Sequence, residues 1–126
     1  MHAFTTAAVW AGLTAARNFA VAFGQHELAK RYAVAAQEIR DAALVHLWDA
    51  DRGRFVRTIN VLPDGTIVKD ATIDISLAGI FLFGLLPATD DRIRSTMRAI
   101  EERLTVRTPV GGIARYENDY YFQISS

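Results

Sequence analysis

The sequence predicts an all-α fold of about four helices, with a small β-hairpin inserted after the second helix. Three observations lead to this prediction. Apolar residues recur at helical spacing in two long segments near the N-terminus, an alternating segment bounded by turn residues follows, and two further helical segments lie on either side of Pro87. With 126 residues, of which 51% are hydrophobic and 22% charged, the chain is about one domain in size and can bury a core.

The first two helices are predicted at residues 4–23 and 26–47. Alanine is dense in the first, and Gly24 suits the left-handed position that often ends a helix. In the second, an apolar stripe that includes Leu28 and Ile39 lies largely opposite the charged residues. Because the link between them is so short, the two helices are expected to pack antiparallel.

Turn and strand signals fill the region between the second and third helices. Residues 48–53 carry the aspartates and glycine of a turn, and they resemble a calcium-binding loop only superficially, because the spaced oxygens and the terminal Glu are missing. Residues 55–60 alternate as a strand. Residues 66–68, which follow the turn at residues 63–65, are predicted to return as its partner.

Two more helices are predicted beyond the hairpin. Residues 73–83 are apolar nearly all round, which indicates an inner, buried helix, and Pro87 ends it. The last helix covers residues 90–104, with an aspartate at its positive N-terminus. The remainder, residues 113–126, is predicted as loop or strand.

Composition excludes several classes of function. The 14 basic and 14 acidic residues balance without a basic stripe, which argues against a nucleic-acid partner, and the lack of cysteine excludes disulfides and thiolate chemistry. The histidines have no partner at metal-ligand spacing and no Gly-rich phosphate loop is present, so no metal or cofactor is expected.

The longest apolar run, residues 80–87, is far shorter than the about 20 residues that span a bilayer. Since no signal peptide is visible either, a cytoplasmic protein without a membrane partner is expected.

Chemistry-bearing side chains are concentrated in residues 115–121. Arg115, Glu117, Asn118 and Asp119 are interleaved there with three tyrosines, after a pair of glycines that permit unusual backbone. Sugars are bound by this mixture, because planar donors and acceptors meet their hydroxyl groups and aromatic faces meet their C–H side. The alternative is a solvated loop whose tyrosines cover the end of a helix bundle.

Two aspartates near the third helix are also candidates. Asp70 could be a helix N-cap. Asp74 begins a very apolar helix, where either the helix dipole or a functional role would explain a carboxylate. An inverting glycosidase needs two carboxyl groups about 6.5–9.5 Å apart. Spacing alone does not nominate such a pair among Asp74, Glu117 and Asp119.

Four segments of the chain resemble family 15 of the glycoside hydrolases, which includes glucoamylases, glucodextranases and some trehalases. The segments follow one another along the chain in the same order as in that family. The loop Arg115-Tyr116-x-x-Asp119-x-Tyr121 resembles that family's Arg-Tyr-x-x-Asp-x-Tyr loop. The other three are residues 4–13, similar to the helix after the family's general-acid segment, residues 48–56, similar to its Trp-Asp turn, and residues 74–77, similar to its Asp-Ala-Ser-Leu helix start.

The resemblance implies an (α/α)6 toroid, of which residues 1–126 would be a partial catalytic domain truncated at both ends. It also implies exo-acting release of glucose, with inversion, from an α-glucan or α-glucoside substrate. By the same resemblance Arg115 binds hydroxyl groups of the terminal sugar, and Tyr116, Asp119 and Tyr121 shape the loop around it.

The family's two catalytic glutamates would lie just before and just beyond this chain, so the isolated chain is expected to be inactive. Glu117 does not occupy a catalytic position of the motif. Two alternatives stay open. One is a non-catalytic helical scaffold or binding module, and the other is a toroid enzyme such as a disaccharide phosphorylase, for which the clustered groups of a phosphate site are missing.

Overall fold

An antiparallel helical hairpin begins the chain in the computed structural model, which describes residues 1–119. Helix α1 (Ala3–Ala22) and helix α2 (His26–His46) are joined through Gly24, whose φ of 70° lies in the left-handed region. All buried residues of the two helices are alanines: Ala3, Ala7, Ala20, Ala29, Ala36 and Ala43. Such small side chains let two helix axes approach closely, and the predicted helical hairpin is confirmed.

Two short β-hairpins follow where a single one was predicted. Strand β1 (Trp48–Asp49) pairs antiparallel with β2 (Arg54–Phe55), and β3 (Thr58–Val61) pairs with β4 (Ile67–Asp70). The predicted hairpin around the turn at residues 63–65 is confirmed as β3–β4, but its first strand begins at Thr58 and not at residue 55, because Phe55 belongs to β2. The β1–β2 hairpin turns tightly because the Asp49 carboxylate accepts hydrogen bonds from Arg52 across the turn. A structural turn was expected at residues 48–53.

Asp49 joins the two hairpins. Its side chain is only 3% exposed, and Oδ2 is 2.9 Å from Nη1 of Arg52 and 3.3 Å from Nζ of Lys69 on β4. Burial alone would raise the pKa of Asp49, but the hydrogen bonds from Arg52 and Lys69 outweigh it and hold this pKa below its usual value. The folded structure therefore favours the ionised form of the Asp49 carboxyl group.

The third helical segment starts later than predicted and begins as a 3₁₀ turn. Residues Ile75–Ala78 form that turn and continue directly into α3 (Gly79–Leu82). Ile73 is extended, because its backbone pairs with the loop that follows the last helix. The sequence predicted that this helix is buried on all its faces. In this chain it is not, since Leu82 is 68% exposed.

The predicted N-cap at Asp70 is wrong. Asp70 ends β4, and its Oδ1 accepts a hydrogen bond from the backbone N–H of Thr72 in a local turn. Asp74 is the true cap, since its Oδ1 lies 2.8 Å from the backbone nitrogen of Ser76. The prediction for the last helix is confirmed: α4 (Asp91–Leu104) is capped by Asp90, which accepts from the backbone N–H of Arg92.

The core lies between the β1–β2 hairpin, the 3₁₀ turn, α3 and α4. Thr96 ties the hairpin to α4, because its Oγ1 accepts from the backbone N–H of Phe55 and donates to the carbonyl of Arg92. The largest fully buried apolar side chains are Leu47, Phe55, Val56, Leu77, Ile80, Leu86 and Leu104.

Apolar side chains are also exposed on the helical hairpin. Phe23 is 76% exposed, Val45 71% and Phe19 67%. Within residues 1–119 no helix is long and apolar enough to cross a membrane. The helices of this region are too few to close a ring, so the toroid stays a prediction.

Gly79 and Gly12 provide a matched pair of substitutions. A Cβ at Gly79 would lie 2.7 Å from Cδ2 of Phe4, whose ring packs edge-to-face on Phe83, whereas a Cβ at Gly12 meets nothing within 4 Å. We expect Gly79→Ala to lower the free energy of unfolding by about 1–3 kcal/mol through overpacking. Gly12→Ala, inside α1, should raise it by about 0.5–1 kcal/mol. Urea unfolding measures both, and equal effects of the two substitutions would contradict this packing.

Candidate functional site

The loop after α4 is closed at its base by backbone pairing. Thr105 and Ile113 form an antiparallel bridge, the backbone N–H of Val106 donates to the carbonyl of Gly112, and that of Ala114 donates to Leu104. Gly112 has a φ of 121°, a backbone conformation that residues with a Cβ rarely adopt. This closed base sends residues 113–119 back across the molecule.

The returning segment pairs antiparallel with the extended residues before the 3₁₀ turn. The backbone N–H of Ile75 donates to the carbonyl of Arg115 at 2.8 Å, and that of Glu117 donates to the carbonyl of Ile73 at 2.9 Å. Between these bonds Asp74 and Tyr116 form a bridge. The side chain of Glu117 adds a third bond, since its Oε1 accepts from the backbone N–H of Ile73 at 2.8 Å.

Arg115 and Asp119 form a bidentate ion pair within this loop. Nε of Arg115 is 2.6 Å from Oδ2 of Asp119, and Nη2 is 2.8 Å from Oδ1. The Asp119 side chain is only 5% exposed, whereas that of Arg115 is 58% exposed. Asn118, with a left-handed φ of 64°, makes the turn that brings Asp119 back to Arg115. The carboxylate thus fixes one edge of the half-exposed guanidinium.

Tyr116 completes this group. Cζ of Arg115 lies 5.5 Å from the centroid of the Tyr116 ring, which is within the range of a cation–π contact. Arg115, Tyr116 and Asp119 are therefore brought together, and their roles in sugar binding stay a prediction. The fourth predicted residue, Tyr121, lies outside the described residues.

A polar cavity of about 230 Å³ opens on the side of the loop that faces α4. Arg103 of α4 contributes a cation to it, a residue that the sequence gave no reason to select. Its other lining residues are Leu104, Thr105, Val106, Ala114, Tyr116, Glu117, Asn118 and Asp119. This volume is below the roughly 300–1,000 Å³ of sites that enclose a ligand.

An ion-pair network supports the segment on which the loop is docked. Arg57, at the start of the second hairpin, donates from Nε to Oδ2 of Asp70 at 2.9 Å and from Nη1 to Oδ2 of Asp74 at 3.1 Å. The hydrogen bond with Asp70 is the main cause of a raised pKa of Arg57. Burial opposes ionisation of Asp70, but hydrogen bonds from Thr72 and Arg57 lower its pKa overall. Arg57 was not identified from the sequence, because its partners lie 13 and 17 positions away.

A second arginine lies close to the loop. Nη2 of Arg54 donates to the carbonyl of Ala71 at 2.7 Å. Burial lowers the pKa of Arg54, and the negative charge of Glu117 partly offsets this effect. Glu117 therefore faces a half-buried cation as well as the backbone of Ile73.

The carboxylates around the loop all accept hydrogen bonds from neighbouring groups. Asp74 is bound by Arg57 and Ser76, Glu117 by Ile73, and Asp119 by Arg115. These contacts favour carboxylates that bind and position, since they occupy oxygens that a general acid would have to present to the substrate. In the part of the chain that the structure describes, no group of three or more His, Asp or Glu residues could hold a metal ion.

Comparison with known proteins decides the family. The model of glycosyl hydrolases family 15 matches residues 1–125. This chain belongs to that family. No curated protein matches the sequence of this family 15 chain.

Among solved structures, the family 15 chain is similar to a bacterial glucoamylase complexed with acarbose. The TM-score is 0.77 at 22% sequence identity, and the match covers 96% of this chain. It covers 21% of the glucoamylase, so the chain spans about a fifth of the length of that structure. At this identity the likeness establishes a shared fold over the matched part.

The support beneath the loop has a testable dependence on pH. The pKa of Asp70 is depressed in the folded chain, so its charge stabilises the fold above the unfolded-state value of about 3.9, and this contribution is lost as the pH falls through the lower folded pKa. We therefore expect Asp70→Asn to destabilise the chain most at pH 7 and progressively less below about pH 4. Urea unfolding at pH 7, 5 and 3 measures this difference.

Asp51→Asn, at an exposed turn position, is the control and should change the free energy of unfolding little at any of these pH values. An effect of Asp70→Asn that stays constant from pH 7 to pH 3 would contradict the assigned ion pair.

Proposed function

We propose that this chain provides one wall of the sugar-binding site of an inverting, exo-acting, glucoamylase-like hydrolase. In this proposal the whole enzyme releases glucose from α-glucans or α-glucosides. Arg115 binds hydroxyl groups of the terminal glucose, and Tyr116, Asp119 and Tyr121 shape the loop. The acid and base that cleave the bond come from outside these residues.

One observation carries the proposal: a half-exposed guanidinium is fixed by a buried carboxylate. The loop that holds it resembles the family's Arg-Tyr-x-x-Asp-x-Tyr loop. The bidentate pair with Asp119 sets the plane of Arg115 and removes most of its rotational freedom. An oriented planar donor suits the neighbouring hydroxyl groups of a sugar ring, because little entropy remains to be lost on binding. The family match over residues 1–125 supports this assignment.

The carboxylates of the loop support a binding role and not a catalytic one. Asp119 is committed to Arg115, and Glu117 is committed to the backbone of Ile73. Neither carboxylate combines exposure with the free position that proton transfer to a glycosidic oxygen requires. The about 230 Å³ cavity beside them is also too small to enclose two sugar rings.

The exposed apolar side chains of the helical hairpin favour a second candidate, a non-catalytic helical scaffold that binds a protein. Phe19 and Phe23 would then lie in the interface. The same exposure is expected of part of a larger helical domain, so it does not separate the two proposals. The role of Arg115 does, because a scaffold has no use for an oriented guanidinium at the loop.

The isolated chain of residues 1–126 should not hydrolyse maltooligosaccharides, because it lacks the acid/base pair. Glucose release during incubation with maltotriose, followed by a coupled assay, provides the measurement. Release above that of a heat-denatured sample of the same chain would disprove this part of the proposal.

Arg115→Lys in the hydrolase that contains this chain should weaken acarbose binding by roughly 10–100-fold, since the lysine keeps the charge but loses the bidentate geometry. Inhibition constants measured with maltotriose as substrate test this expectation. Arg107→Lys, in the exposed part of the same loop, is the matched control and should leave the constant unchanged. Equal inhibition constants for Arg115→Lys and the unaltered enzyme would favour the scaffold.

A further inference from the structure

The side chain of Glu117 has a place in the structure that the family resemblance does not explain. Its carboxylate reaches across to the preceding segment, where Oε1 accepts a hydrogen bond from the backbone N–H of Ile73 at 2.8 Å. Ile73 is 5% exposed. Without the Glu117 carboxylate, its N–H group would have no partner in a region from which water is largely excluded. An unsatisfied buried N–H group is costly, and this makes the contact strong for its size.

The backbone of Glu117 acts in the same register. Its N–H donates to the carbonyl of Ile73 at 2.9 Å, so Glu117 satisfies both polar groups of one residue, one with its side chain and one with its main chain. The pairing between the two segments ends at this point, and the left-handed Asn118 and then Asp119 follow at once. The contact therefore fixes the residue from which the turn toward Arg115 begins.

The chain continues from this anchor directly to the residue that orients the sugar-binding arginine. Asp119 stands two positions beyond Glu117, and both its oxygens contact Arg115 within 2.8 Å. Release of Glu117 from Ile73 would free the turn at Asn118 and with it the position of the Asp119 carboxylate. Arg115 would then keep its charge but lose its orientation.

We propose that Glu117 is a positioning residue that, by accepting the Ile73 N–H, holds the loop in the conformation in which Asp119 orients Arg115 toward a glucoside. The inference rests on the function proposed above as far as the ligand is concerned. The hydrogen bond and its effect on the loop can be tested without any ligand. The negative charge of Glu117 also lies near Arg54, which makes a second explanation of the residue possible: charge compensation.

Two substitutions separate these explanations. Glu117→Gln keeps the reach of the side chain and an acceptor oxygen but removes the charge. Glu117→Asp keeps the charge but is one methylene shorter, so the carboxylate no longer reaches Ile73. Both are conservative enough to leave the rest of the fold in place, which the exchange rates of the α1 and α2 amides would verify in the same experiment.

The first measurement is hydrogen exchange of the Ile73 amide in the full chain, followed by NMR. Glu117→Asp should accelerate it about tenfold, the factor that corresponds to one hydrogen bond of typical strength, and Glu117→Gln should change it less than threefold. The second is the affinity for acarbose, measured as an inhibition constant with the same substitutions in the hydrolase that contains this chain. It should fall for the Asp variant and be retained by the Gln variant.

The matched controls are Glu102→Asp and Glu102→Gln, at an exposed carboxylate on α4, and both should leave the two measurements unchanged. The reverse order of the Glu117 variants, with Gln impaired and Asp not, would overturn the proposal in favour of charge compensation. Unchanged exchange in both variants would also overturn it. If the unaltered hydrolase that contains this chain does not bind acarbose while Ile73 exchange follows the expected order, the proposed sugar site fails and the positioning role of Glu117 stands.

Discussion

The antiparallel pairing of residues 73–75 with residues 115–117 is the interaction on which the candidate site depends. It consists of two backbone hydrogen bonds and one bond from the Glu117 side chain, together with the bridge between Asp74 and Tyr116. Without it the loop would be attached only at its base, next to α4. With it, the loop is held at a second place, and Arg115 occupies a defined position relative to the start of the 3₁₀ turn.

This pairing in turn depends on what holds the other strand of the pair. Asp74 caps the 3₁₀ turn through Ser76 and accepts a hydrogen bond from Arg57, which also binds Asp70. Arg57 directly precedes β3, so its hydrogen bonds join the second hairpin to the segment that pairs with the loop. Asp49 links the two hairpins in the same way, through Arg52 and Lys69. These ion pairs connect the two hairpins to each other and to the segment that pairs with the loop.

The sequence was sufficient where structure is decided by neighbours along the chain. Gly24 and the alanine-rich segments gave α1 and α2, and Asp90 marked the start of α4, because caps and helical periodicity are local signals. The β3–β4 hairpin was predicted but the β1–β2 hairpin was not, since the alternation of residues 55–60 does not reveal that Val56 donates its N–H to Leu47 instead of continuing into β3.

The candidate site divides in the same way. The types of residue in the loop indicated sugar binding, and Arg115, Tyr116 and Asp119 do lie together. The roles of Arg57 and Glu117 were hidden, because each depends on a partner that is distant in sequence, and the pairing of two extended segments leaves no periodic pattern. Asp70 and Asp74 carry identical side chains four positions apart, and only the backbone around them makes the second a cap and the first the end of a strand.

The closed base of the loop after α4 separates two regions that differ in how well they tolerate a change in length. The bridge between Thr105 and Ile113 and the bond from Val106 to Gly112 isolate the tip, where Val110 is 95% exposed. Residues can be added to or removed from such a tip at small entropic cost, because the ends of the loop are already joined. Relatives can therefore differ in the length of the tip without any displacement of Arg115. For the same reason Val110 is a suitable attachment point for a fluorescent label.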